Sequence, residues 1–140
     1  MSEKLFAPVG YWAMSPSARA ELTNGCGPAG WKGRYIPDHL LWVSIQAACD
    51  IHDWMYRVGQ TEADREEADR VFLNNMLRIV EARSTNWLTR DLRRRLALRY
   101  YATVRDHGAV YFWEDKNLPE TYRDPAKVWP IENGGDYDCA

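Results

Sequence analysis

Glycine and proline are spread unevenly along this chain, and that unevenness limits its folds more than any other feature. Pro8, Gly10, Pro16, Gly25, Gly27, Pro28, Gly30, Gly33 and Pro37 punctuate the first part, too closely spaced for long helices. From Asp38 to Arg57 there is neither residue. Across that stretch Leu41, Ile45, Ala48, Cys49, His52 and Tyr56 recur at steps of three and four until Gly59, which predicts a first helix. Thr61 then offers an N-cap with Glu62 and Asp64 in the first turn. An apolar stripe of Phe72, Leu73, Met76, Leu77 and Val80, continuing from Asp69, predicts a second helix ending near Ser84. Ser84, Thr85 and Asn86 break the pattern. Trp87 to about Tyr111 reads as a third helix, with Leu88, Leu92, Leu96, Tyr100 and Thr103 along one side. The short link between the first two helices favours an antiparallel pair. Beyond Glu114, Pro119, Pro125, Pro130, Gly134 and Gly135 predict an irregular tail draped on the helices, with Tyr122 and Trp129 as anchors. The expected fold is mainly α: a long antiparallel pair carrying the site, a third long helix, an irregular N-terminal loop and a C-terminal tail.

Composition agrees with one domain over residues 1–140. At 46% hydrophobic and 27% charged, the chain is too rich in packing residues for disorder. A formal charge of −2 supplies no whole-molecule attraction to nucleic acid, so no nucleic-acid partner is expected. No apolar run is long enough to span a bilayer, and Met1 to Pro8 lacks the apolar stretch of a secretory signal. Cytoplasmic synthesis is the expectation, with leaderless export left open. Three cysteines, Cys26, Cys49 and Cys139, allow one internal disulfide at most, unlike a small secreted disulfide scaffold.

Three clusters carry chemistry. On the first helix Cys49, His52 and Tyr56 share a face, while Asp53 lies about 100° around from His52. On the second, Asp69 begins the apolar stripe and so points inward where Leu or Ile would be ordinary; an inward carboxylate needs a partner. In an antiparallel pair His52 and Tyr56 are the available donors. Such a bond would fix the imidazole tautomer and leave its other nitrogen to act as a base, or it would be a core hydrogen bond and nothing more. The third cluster is the stretch from Asn24 to Trp31, where Gly25, Gly27 and Gly30 permit a tight path that turns carbonyl oxygens inward. That suits a hard cation such as calcium, with Asp53 as the carboxylate ligand, or it is a plain tight turn. Cys26 and Cys49 could join loop to helix in an oxidising compartment, at about 3 kcal/mol of stabilisation, or pack as buried thiols in a reducing one.

These segments resemble the phospholipase A2 superfamily, in the manner of its bacterial and fungal members. Its helix signature C-x-x-H-D-x-x-Y is matched by Cys49, His52, Asp53 and Tyr56, and its calcium loop by Gly25 to Gly30. Its second-helix Asp is matched by Asp69 with Phe72, and Asn75 with Met76 stands where those members often show Asp-Met. The resemblance implies an enzyme of lipid degradation: calcium-dependent hydrolysis of the ester at the second glycerol carbon of a phospholipid, met at a membrane surface or micelle. It implies His52 as the general base acting on water, Asp69 orienting it, Tyr56 bonded to Asp69, and the Gly27 N–H at the oxyanion. Calcium would be held by Asp53 and the carbonyls of Gly25, Gly27 and Ala29. A non-catalytic relative binding lipid or protein is the alternative reading. The chain departs from the family at Ala29, where Gly is common, and in the insert from Lys32 to Trp42. It departs again where two further bridges would fall, near Ala48 with Asn75 and near Met55 with Ala68.

Other features have plainer readings. A transition-metal site on Cys49, His52 and Asp53 leaves its fourth ligand unspecified. Arg78, Arg83, Arg90, Arg93, Arg94, Arg95 and Arg99 could attract anionic head groups, but nearby acids favour a salt-bridged face. Trp12, Trp31, Trp54 or Trp113, where exposed, could dip into a membrane interface, although most of the tryptophans are expected in the core. His39 and His107 read as structural, and Cys139 as a free thiol.

Overall fold

The computed structural model describes residues 3–22, 38–113 and 131–137. In chain order the elements are β1 (Glu3–Pro8), α1 (Val9–Ala13), α2 (Pro16–Leu22), β2 (His39–Leu40), β3 (Val43–Ser44) and α3 (Gln46–Val58). They continue with α4 (Glu62–Arg83), α5 (Trp87–His107), α6 (Ala109–Phe112) and β4 (Ile131–Tyr137). The fold is mainly helical, with two small antiparallel strand pairs.

Helix α4 sits centrally, packed against α3, α5 and β1. Its start is fixed by a reciprocal capping box: the Thr61 hydroxyl accepts from the Asp64 backbone N–H at 3.1 Å, and the Asp64 carboxylate accepts from the Thr61 N–H at 3.1 Å. Its last residue precedes Ser84 at the C-cap, where the apolar stripe was expected to end. The link from α3 is short because Gly59 closes that helix, its N–H donating to the Met55 carbonyl at 2.9 Å. A Cβ at Gly59 would stand 2.7 Å from the Phe112 ring, so close packing sets this glycine. Asn86 caps α5 through the Thr89 N–H at 2.9 Å.

Four expectations are corrected. The first helix begins at Gln46, not near Asp38, because residues before it form the β2–β3 hairpin, in which Leu40 is buried from a strand and Ile45 from the N-cap. Leucine at helical spacing there was coincidental with strand burial. On α5 the expected Leu96 and Tyr100 do pack inward, but the buried line is Arg93, Ala97, Tyr100 and Val104, and Leu88 and Leu92 face solvent. A buried arginine occupies the place where an apolar stripe would look for leucine. That helix stops at His107, since Gly108 intervenes before α6. Finally, the ends of the chain are not wholly irregular: β1 pairs antiparallel with β4, Glu3 opposite Tyr137 and Pro8 opposite Ile131, with a shift between Lys4 and Phe6.

The positions flagged for missing bridges, Ala48, Asn75, Met55 and Ala68, are all fully buried. Asn75 accounts for its amide by holding β1: it accepts from the Phe6 N–H and donates to the Phe6 carbonyl, both at 2.8 Å.

Candidate active site

Helical period places His52 and Tyr56 one above the other on α3, and the short turn brings α4 back so that Asp69 meets both. Asp69 Oδ1 accepts from His52 Nε2 at 2.9 Å and from the Tyr56 hydroxyl at 2.7 Å. All three side chains are buried, Asp69 at 2% exposure and His52 at 3%. The imidazole lies between two rings, its centroid 4.2 Å from that of Tyr56 and 4.6 Å from that of Phe72. With Nε2 engaged by the carboxylate, the proton is placed on that nitrogen and Nδ1 carries the lone pair.

The carboxylate's other oxygen, Oδ2, lies 3.6 Å from Arg65 Nη1. Arg65 is itself held by Glu62, whose second oxygen accepts from Trp113 Nε1 at 3.2 Å, and by the Arg105 carbonyl at 3.2 Å. The Arg65 hydrogen bond holds the Glu62 carboxyl below its usual range and, reciprocally, raises the guanidinium pKa. Tyr56 is pushed far above the ordinary phenol value, first by burial and then by the adjacent Asp69 carboxylate. It therefore remains a hydrogen-bond donor throughout the range in which proteins fold.

Asp53, next along the helix, is also buried, at 3% exposure. It is a hard oxygen donor of the kind calcium takes. Among the described residues no group of three or more His, Cys, Asp and Glu could hold a metal ion. The remaining expected ligands, Gly25, Gly27 and Ala29, lie outside the described residues, as does the Gly27 N–H. Cys49 is disulfide-bonded; Cys26 and Cys139 lie outside the described residues, and so does Trp31.

Thus the structure brings together His52, Tyr56 and Asp69, with Asp53 beside them. Sequence reasoning missed three contributors. Arg65 was signalled only by its spacing of four residues from Asp69. Phe72 was assigned to the core stripe without its contact to the imidazole. Gly108 supports the Tyr56 hydroxyl, and its signal was its isolation as the one glycine between Gly59 and Gly134. Trp12, Trp54 and Trp113 belong to the core or pack against it, as expected of most tryptophans, and only the candidates for exposure change. Trp54 is buried, donating to Met14 Sδ at 3.1 Å, and Trp12 and Trp113 are partly buried against the core; among the described residues the exposed indoles are Trp42 and Trp87. His39 is exposed and bonded to Asp38 at 2.6 Å. Arg95 with Asp91, and Arg94 with Glu81, form the salt-bridged surface expected of the basic run.

Over residues 37–89 the chain is similar to a family described as Protein of unknown function (DUF1353). No curated protein and no solved structure matches. The resemblance to the phospholipase A2 superfamily is therefore corrected: the matching family model is a different one, and its span contains His52, Asp53, Tyr56 and Asp69. The reason is physical. His and Tyr at i and i+4 share one face of any α-helix and so can meet one acid on a neighbouring helix, a spacing that belongs to the α-helix rather than to one family.

No helix among the described residues is long and apolar enough to cross a membrane.

Proposed function

We infer that the chain is a hydrolase of carboxylic esters, with His52 Nδ1 as the base that activates water and a glycerophospholipid as the substrate class. The observation that carries this reading is the buried bond from His52 Nε2 to Asp69, doubled by Tyr56 on the same oxygen. A carboxylate so placed fixes the tautomer and stabilises the imidazolium that forms when Nδ1 takes a proton.

Water loses a proton to His52 Nδ1 as its oxygen bonds to the ester carbonyl carbon. When the carbon–oxygen bond to the alcohol breaks, His52 returns that proton to the leaving alkoxide, so acid and alcohol are released and the imidazole is neutral again. Asp69 holds the ring in register through both transfers, and Tyr56 with Arg65 holds Asp69. The rings of Tyr56 and Phe72 keep bulk water from the Nε2 side. Calcium, when bound by Asp53 with the carbonyls of Gly25, Gly27 and Ala29, would supply positive charge at the developing oxyanion beside the Gly27 N–H.

Release of fatty acid from mixed phospholipid vesicles, measured in calcium and in EDTA, tests the reading. His52→Gln is expected to lower the rate at least about 100-fold, and Asp53→Asn to abolish the difference between calcium and EDTA. Undiminished release by His52→Gln, or equal release with and without calcium in the wild type, would overturn it.

A further inference from the structure

The hairpin ahead of α3 has no part in that chemistry, yet it is built with unusual constraint. Its two-residue connection, Leu41 and Trp42, has φ values of 42° and 68°. Hairpins of this kind ordinarily place Asn or Gly there, because L side chains are disfavoured in the left-handed region. Three contacts hold the conformation. Arg93, buried on α5, donates Nη2 to the Leu41 carbonyl at 2.8 Å and Nε to the Leu40 carbonyl at 3.3 Å. The Tyr100 hydroxyl donates to the His39 carbonyl at 3.3 Å. What the turn displays is an indole: Trp42 is 88% exposed. A disfavoured backbone, stabilised from behind to present a large apolar side chain to solvent, is the mark of a working surface.

The same guanidinium donates Nη1 to the Ser84 hydroxyl at 3.0 Å, tying the hairpin tip to the corner between α4 and α5. Just past that corner Trp87 is 75% exposed and Leu88 53%. Leu88, Leu92, Arg95 and Arg99 follow at steps of four, three and four, one outer stripe of α5 with every member exposed. The helix carries six arginines against two aspartates, of which Arg93 is buried and Arg94, Arg95 and Arg105 pair with Glu81, Asp91 and Asp106, in a chain whose formal charge is −2. Arg99 is exposed.

We propose that the hairpin tip and the outer stripe of α5 form a docking surface for an anionic phospholipid bilayer, through Trp42, Trp87, Leu88 and Leu92 with Arg95 and Arg99. Indole rings settle at head-group depth, leucine lies below them, and guanidinium pairs with phosphate above. The cores of protein interfaces are depleted of charge and closely packed. Here two leucines are followed by two arginines along a helix edge and a lone indole rises from a turn, which suits a fluid surface that closes around each of them. The proposal does not depend on the hydrolytic reading.

Co-sedimentation with phosphatidylglycerol-containing vesicles and with pure phosphatidylcholine vesicles, both in EDTA, tests it without reference to catalysis. Tight binding to the anionic vesicles, weak binding to the neutral ones and loss of binding as salt is raised are expected. Trp42→Asn suits the left-handed turn and so keeps the fold; with Leu88→Ser it should weaken binding to the anionic vesicles at least about tenfold. Arg99→Glu should weaken it roughly fivefold or more, with thermal melting unchanged in each variant. No binding at low salt overturns the proposal, as does binding to which the Trp42→Asn/Leu88→Ser protein is indifferent. Self-association abolished by the same pair of substitutions, without vesicle binding, overturns it in favour of a second copy of the chain. Because the readout is binding in EDTA, its failure leaves the ester-hydrolysis reading to its own test.

Discussion

At Gly108 a hydrogen stands where a methyl group would meet two oxygens, the Tyr56 hydroxyl and the Val104 carbonyl, each 2.4 Å from an ideal Cβ. The backbone there is right-handed, φ −79°, so alanine is excluded by space and not by conformation. Gly108→Ala should therefore destabilise the protein by about 1–3 kcal/mol and displace the Tyr56 hydroxyl from Asp69, which on the proposed function would lower ester hydrolysis. Tyr56→Phe removes that hydroxyl. Combined with Gly108→Ala, it should cost less than the sum of the two, by at least about 0.5 kcal/mol in urea unfolding. Additive costs would mean that the glycine does not act through the tyrosine. Legibility at this scale followed contact type. His52, Tyr56 and Asp69 could be read because helical period alone puts two on one face and leaves the third as an inward acid. Arg65 and Gly108 could not, since one acts from a partly buried flank of α4 and the other from beyond the end of a third helix.

Among the elements, α4 was the most readable. Its boundaries are enforced locally, by Thr61 and Asp64 at one end and Ser84 at the other, and local chemistry is what a sequence displays. Thr61→Ala should cost about 1 kcal/mol in thermal or urea unfolding. Asp64→Ala should cost more, because that carboxylate also accepts from the Gln60 N–H at 2.9 Å; equal costs would show the second bond to be idle. The start of α3 was misread for a reason visible in the structure. Leu40 and Ile45 are buried in the manner of helix residues while belonging to a strand and an N-cap. The face of α5 was misread because periodicity seeks leucine, whereas its inward position holds Arg93, which binds the Leu40 and Leu41 carbonyls and the Ser84 hydroxyl. Hydropathy has no way to register an arginine whose donors are directed at the backbone of a distant hairpin and at a helix-corner hydroxyl.

For the molecule as a whole, a mainly helical class was apparent from glycine and proline spacing, but the pairing of β1 with β4 was not. No local pattern announces that Glu3 will lie opposite Tyr137. The side chain that holds β1 against the helices, Asn75, stood out in the sequence only beside Met76 and as a place where a bridge would fall. Asn75→Leu leaves the Phe6 N–H and carbonyl without that partner, and should cost about 3 kcal/mol. The loss should be local: hydrogen exchange is expected to rise in residues 3–8 and not in α3 or the first half of α4. Uniform acceleration across the chain would show that β1 is integral to the helical core. Consider, finally, how far apart in the chain the joined parts lie. His52 and Asp69 are 17 residues apart and need little more than one helical hairpin to meet. The strand ladder must close nearly the whole length of the polypeptide, an added entropic cost of about 2 kcal/mol on chain-closure arithmetic. The imidazole and its acid are thus free to assemble early in folding, with the sheet arriving as a late seal on a centre already formed.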